Sequence, residues 1–445
     1  MRKRGVVAFA ALLILLLSVA AAGCGGDEGG GDAAGTTTGD SGGQIGGSVE
    51  ILGAFGGDEE KLFNESVKAF EGRTGIDVKY TSTNDLPTLI RSRVNGGNPP
   101  DIALFPQPGL ALDLARQGAT VPVEDAIDLA AVEETLIPGF LEAATLDGKV
   151  YATPMRMAVK SLLWYPVPEF EDAGYTVPET HADIVALEDK IIADGKTPLC
   201  LGYESGQATG WVGTDWIEEY VLRTGGPEVY DKWVSHEILF DSPEVREAFA
   251  KFEEIALRDK VVLGGRSAVL STPFGDTANP MFKDPPECFL YRQGNFATGF
   301  FPDPVQADLE ANVGVAYYPP VEGGYDGKPL LGGGDVMSLF KDSADSEAAK
   351  ATMEFLASDE FGGEWAAGGG WLSPHKTFDN SQYADETTRT IATLAAEADV
   401  FRFDASDLMP AVVGAGTFWR GMAEWTGGDK ELDEVLKEID ESWPE

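Results

Sequence analysis

The chain has 445 residues, 43% of them hydrophobic and 10% aromatic, with 74 acidic against 33 basic side chains and a formal charge of −41. That length is more than one compact core holds and suits two lobes, and the hydrophobic share is that of a globular protein. So acidic a field repels nucleic acid and anionic lipid, so neither is expected as a partner, but it says little about neutral ligands.

In chain order, Arg2, Lys3 and Arg4 precede VVAFAALLILLL, an apolar run of twelve residues from Val6 to Leu17. A helix of that length reaches about 18 Å against a hydrocarbon core of about 30 Å, which predicts a secretory signal peptide over 1–23 rather than a membrane span. Removing the three positive residues takes the formal charge from −41 to about −44. Ala21, Ala22 and Gly23 lead into Cys24, and this stretch resembles the lipobox of bacterial lipoproteins, departing from it at Ala21, where a larger aliphatic is usual. The resemblance implies lipid on Cys24; plain secretion with a free thiol is the alternative. From Gly25 to Gly47, eleven of 23 residues are glycine, too little apolar surface to offset the entropy of ordering, so 24–47 is read as a flexible linker.

From residue 48 strands and helices alternate. SVEIL (48–52) reads as a strand. Glu59 to Arg73 reads as a helix with Leu62, Phe63, Val67 and Phe70 on one face, stopped at Thr74-Gly75. IDVKY (76–80) and DIALF (101–105) read as further strands, with a helix from Leu86 to Asn95 between them. Short connections in this order imply right-handed crossovers and a mostly parallel sheet, with ligands gathering beyond the carboxyl ends of the strands. A helix-rich region follows PMRMAVKSLLWYP (154–166), with helices expected at 182–193, 214–223 and 242–257. Strand pattern returns at LLGGGDVMSLF, followed by an amphipathic helix from Ser346 to Ala357, so the chain is expected to cross between lobes more than once and to form a hinge.

Two cysteines remain after Cys24 in a chain bound for an oxidising space. Cys200 and Cys288 are therefore expected to pair as a disulfide, the alternative being two buried thiols. The histidines His181, His236 and His375 lie far apart in sequence without metal-ligand spacing, and neither a metal site nor a cofactor is expected.

Several stretches together are similar to the extracellular solute-binding proteins of carbohydrate import systems, and most closely to their alpha-glucoside branch, relatives of the maltose-binding protein. They are TGIDVKY, GNPPDIALFPQPG, YATPMRMAVKSLLWYP, TGWVGTDWIEEYVLRTGGPEVYDKW, GGGDVMSLF, GGWLSPHK and FRFDASDLMP followed by AGTFWRGM, in collinear order from about 48 to 440. The resemblance implies an α/β, two-lobed periplasmic-binding-protein fold with about three hinge crossings. Lobe 1 would hold 48–158 and 336–385, and lobe 2 would hold 159–335 and 386–445. It further implies a monomer that takes sugar into the interlobe cleft and docks on the permease of an ABC transporter, attached to the outer face of the membrane through Cys24.

A sugar presents hydroxyls around its rim and apolar C–H faces, so its site needs aromatic plates and convergent polar groups. Trp211 and Asp215 lie in a glycine-rich loop opening a helix, and Trp371 follows Gly368 to Gly370. Lys160 interrupts an apolar hinge run, Asp335 follows the glycine triplet 332–334, and Asp404 stands with Asp407 in FRFDASD. By resemblance, Trp419 supplies a sugar-stacking ring, Phe105 and Phe301 stand where the maltose-binding relative has further cleft tryptophans, and Asp58 and Gln107 stand where it places hydroxyl-binding side chains. Two other readings stay open: a surface-anchored glycoside hydrolase whose catalytic carboxylate pair is hidden among the acidic residues, and the same fold binding a polyamine or phosphodiester.

Overall fold

The computed structural model describes residues 44 to 444, with the exception of 84 and 138. The leader and Cys24 lie outside the described residues. Among the described residues, no helix is long and apolar enough to cross a membrane. The last residues read as linker already belong to the fold: the Gly46 amide donates to the Thr74 carbonyl (3.0 Å) and the Gly47 carbonyl accepts from Asp77 (2.9 Å).

Strands β1 (Ser48–Gly53), β2 (Asp77–Ser82) and β3 (Ile102–Phe105) are joined by helices Asp58–Thr74 and Leu86–Asn95. The first helix buries Phe63, Val67 and Phe70 against the sheet, the i, i+4, i+7 stripe expected of an amphipathic helix, and ends on Gly75 in the left-handed conformation. β1 pairs in parallel with both β2 and β3. After a short hairpin of β4 (Thr145–Leu146) and β5 (Lys149–Val150), β6 (Thr153–Val159) runs almost directly into β7 (Leu162–Pro166). β7 belongs to a separate three-stranded sheet with β8 (Tyr291–Arg292) and β9 (Val313–Tyr317). Two lobes are thereby defined, each with its own sheet.

β10 (Pro329–Leu339) is the long strand of the first sheet, and β11 (Val400–Phe403) its late addition. One end of β10 pairs in parallel with β11, the other antiparallel with β3, and its middle antiparallel with β6. The sequence reading placed 329–335 and 386–445 in the second lobe, whereas Pro329–Asp335 and Val400–Phe403 are strands of the first sheet. The glycine triplet 332–334 lies within β10 and serves close approach. A Cβ on Gly332 would lie 2.3 Å from the Ala158 carbonyl oxygen, and one on Gly334 the same distance from that of Arg156, so glycine lets β6 and β10 pack closely up to the register shift between Asp335 and Val336.

The second lobe is helix-rich. Helix Trp211–Val234 buries most of its side chains, Trp216, Tyr220 and Trp233 among them, against helix Pro243–Ala256 and neighbouring segments. Cys200 and Cys288 form a disulfide, with Cα atoms 5.5 Å apart across 88 residues of sequence. Closing a loop that long limits the unfolded chain, so the C200S/C288S double variant should lose about 2 to 5 kcal/mol of stability in urea unfolding. A loss under about 0.5 kcal/mol would show that the bridge contributes nothing beyond packing.

Candidate functional site

Two passages between the sheets meet on β10. Where β6 passes into β7, the Lys160 amide donates to the Leu331 carbonyl (2.8 Å), and the Ser161 hydroxyl accepts from the Leu331 amide (2.8 Å). Where the chain leaves β11, the Asp404 amide donates to the carbonyl of the next β10 residue, Gly332 (2.9 Å). The Ser161 carbonyl also accepts from Tyr318 at the end of β9 (2.9 Å). Beneath this level the Ser161 hydroxyl reaches Glu219 (2.9 Å), which Arg223 (2.6 Å) and Arg292 (2.8 Å) also hold, so this buried carboxylate is fully engaged.

Above the same level is a cavity of about 280 Å³ lined from both lobes. Lys160 enters its floor and bonds Asp215 (3.0 Å) and Asp404, while its ammonium stands 5.2 Å from the centroid of Trp211. On the first-lobe side Arg156 bonds Asp335 (2.6 Å) and Glu59 (2.6 Å) and lies over Phe55 (4.7 Å). A Cβ on Gly333 would come within 3.5 Å of the Asp404 carboxylate, so glycine keeps the floor open. Trp211 opens its helix beside Trp419. Between them Gly210, at φ 116°, is so close that a Cβ would sit 2.0 Å from the Trp419 carbonyl oxygen, and only glycine allows the approach.

One oxygen each of Asp215, Asp335 and Asp404, and the Trp419 indole nitrogen, are buried with no hydrogen-bond partner among the described residues. Buried polar atoms are rarely left so. These carboxylate oxygens are acceptors, and a ligand rich in hydroxyls would satisfy them. Asp215, Glu218 and Asp404 bring carboxylate oxygens within 4.8 Å of one another, and the ammonium of Lys160 supplies the counter-charge there.

Of the residues singled out from the sequence, Gln107, Lys160, Trp211, Asp215, Asp335, Asp404 and Trp419 line this cavity. Asp58 lines the neighbouring one. Phe105, Phe301 and Trp371 do not line the cavity. Phe105 ends an interior strand and turns into the core, leaving Pro106 and Gln107 to face the cleft. Phe301 packs edge-on against Trp164 (5.7 Å), and Trp371 against Phe378 (5.3 Å) and Phe361 (6.0 Å). Arg156 and Ser406, not singled out from the sequence, also line the cavity. For Arg156 the signal was a period of two, since Arg156, Ala158 and Lys160 alternate along β6 and the residue after it, whereas Ser406 sits in the helical turn that follows Asp404 and had no such signal.

Residues 56–362 match the family of bacterial extracellular solute-binding proteins. This chain belongs to that family. The osmoprotective compounds-binding protein GgtB of Synechocystis is 43% identical over 396 residues, covering 89% of this chain and 92% of the relative. The alpha-glucosides-binding periplasmic protein AglE of Rhizobium meliloti is 38% identical over 405 residues, covering 89% and 87%. Among solved structures, a chitin oligosaccharide binding protein matches with a TM-score of 0.74 at 19% identity over 88% of this chain and 97% of that one. Maltose-bound MalE3 of T. maritima matches with a TM-score of 0.69 at 20% identity over 89% and 98%. At those identities the structures establish the two-lobed fold, and the family is one of transport-associated binding proteins rather than enzymes.

In this solute-binding protein the cavity holds more carboxyl groups than cations. Burial opposes the charge on Lys160, yet Asp215 and Asp404 hold its pKa above the usual lysine value. Burial pushes Glu218 up to about 8, with Asp215 adding to it. Burial also pushes Asp407 up to about 7 against the pull of Lys160. Both folded-state values exceed those of an unfolded chain, so the folded protein retains protons that the unfolded chain releases. The resulting stabilisation is present at low pH and is lost as pH rises through about 7 to 8. Thermal unfolding of the ligand-free protein should therefore show a falling Tm between pH 6 and 9. E218Q, which keeps an acceptor for the Ser406 amide (2.9 Å) but cannot ionise, should flatten that fall, and an unchanged slope would remove Glu218 from the account.

Proposed function

We propose that this protein captures a sugar, an alpha-glucoside or a short oligosaccharide, in the cavity between its lobes and delivers it to the permease of an ABC import system. The observation that carries this reading is the pairing of two indole rings, Trp211 and Trp419, with buried carboxylates that still have acceptor capacity. Rings suit the C–H faces of a pyranose, and unpaired acceptors suit its hydroxyls. A relative named for alpha-glucosides, covering 89% of the chain, supports that ligand class.

Closure follows from where the groups sit. Gln107, Arg156 and Asp335 belong to the first sheet and its loops, Trp211 and Asp215 to the second lobe. A ligand touching both sides favours the closed arrangement only by its differential affinity for it, and groups contributed by opposite walls provide that difference. Trp419→Ala should weaken binding by about 1 to 4 kcal/mol in calorimetric titration with glucosides and maltose-series oligosaccharides, the ligand being recovered intact. Unchanged affinity in a folded variant would take Trp419 out of the site, and hydrolysed ligand would overturn the binding reading.

The proposal includes a lipid anchor. A cationic n-region, a short apolar run, small residues before Cys24 and a glycine-rich tether support attachment to the outer face of the cell membrane, with the folded body acting as a monomer. Cys24→Ala should move the protein from the membrane fraction to the soluble extracytoplasmic fraction, and continued membrane association would count against the anchor.

A further inference from the structure

The central cavity does not end the cleft. Half-buried Phe296 lines both it and a second cavity of about 980 Å³, whose facing walls are the segment around Asp58 and the glycine run 368–370 on one side and residues 296–310 on the other. Aromatic rings continue beside this wall by way of Phe274, which packs behind it and is not among the lining residues of either cavity. Trp211 lies 6.2 Å from Phe296 and 4.9 Å from Phe274, and Phe274 lies 5.0 Å from Phe300. Phe300 is 49% exposed and lines the second cavity, one of four large apolar side chains at least that exposed among the described residues.

A single exposed phenylalanine needs no explanation by itself. Phe300 differs in two ways. It ends a row of rings that begins in the ligand cavity, and its loop is braced, since the Gln306 side-chain amide donates to the carbonyls of both its neighbours, Gly299 (3.3 Å) and Phe301 (2.7 Å). Opposite, Gly369 and Gly370 have positive φ and no atom within 4 Å of an added Cβ, which leaves the space before the ring open. A third cavity, of about 760 Å³ on the Trp419 side of the central one, has no aromatic ring in its lining other than Trp419 among the described residues. Stacking surfaces therefore extend the site in one direction.

At about 280 Å³ the central cavity falls at the lower edge of small-molecule sites, which run from roughly 300 to 1,000 Å³. We propose that Phe300 forms an outer saccharide subsite, continuous with the central cavity through Phe296, and that it gives the protein a preference for chains of roughly three or more units. The inference rests on the sugar reading above and adds chain length and direction to it.

Titration calorimetry of the intact protein with gluco-, xylo- and N-acetylglucosamine oligosaccharides of one to four units tests it. In the series that binds, the third unit should raise affinity on the order of tenfold, and F300A should abolish that gain while leaving the affinity for shorter members within about twofold. Because the ring is exposed, the Tm of F300A should match that of the parent, which confirms folding. Equal affinity for short and long members, or a gain retained in F300A, overturns the subsite and leaves the sugar reading standing. Failure of every saccharide at every length overturns both.

Discussion

The ammonium of Lys160, held between Asp215 and Asp404, is the contact on which the site depends. Taking these charges out of water costs several kcal/mol per ion, and the arrangement survives only where geometry returns that cost. Backbone hydrogen bonds impose the geometry. Lys160 hangs from Leu331 and Asp404 from Gly332, adjacent residues of one strand, so the two charges are brought together by the passages that join the lobes. A hinge placed elsewhere would have to solve the burial of these groups again.

Below that level and above it the polar groups behave differently. Glu219 is satisfied by Ser161, Arg223 and Arg292, which engage both of its oxygens. On the cavity side, Asp215, Asp335 and Asp404 each keep an oxygen without a partner among the described residues. The difference lies in the carboxylates: that of Glu219 has both oxygens bonded, while these three on the cavity side each keep one oxygen unbonded among the described residues. Carboxyl groups crowded around one lysine make the folded state favour retained protons, which ties the charge state of the cavity to stability.

Solute-binding relatives as dissimilar as 19 to 20% in sequence share this fold, so the backbone plan does not choose the ligand. The choice falls to side chains on the cleft walls and to glycines that allow close approach. Gly210 lets the start of the Trp211 helix approach the Trp419 backbone, Gly333 lines the floor, and the glycine run 368–370 lines the second cavity although the tryptophan after it is core.

Much of this was legible in the primary structure because it depends on local periodicity. The alternation of β1, β2 and β3 with their helices follows from short-range apolar spacing, and the charge at Lys160 interrupts an apolar run, whereas Trp419 was indicated by resemblance. What periodicity cannot say is which face of a strand end looks into a cleft, or which of two adjacent elements a late segment joins. Phe105 and Phe301, suggested by the resemblance, and Trp371, suggested by its glycine-rich setting, each turn into the core because the sheets and loops around them close over that side. Val400–Phe403 joined the first sheet by pairing with a strand some 70 residues earlier, an interaction with no local signature. The sequence by itself determined the elements, the leader pattern and most of the charged groups of the site. The tertiary structure alone decided which rings face the ligand space, since that depends on long-range packing between segments far apart in the chain.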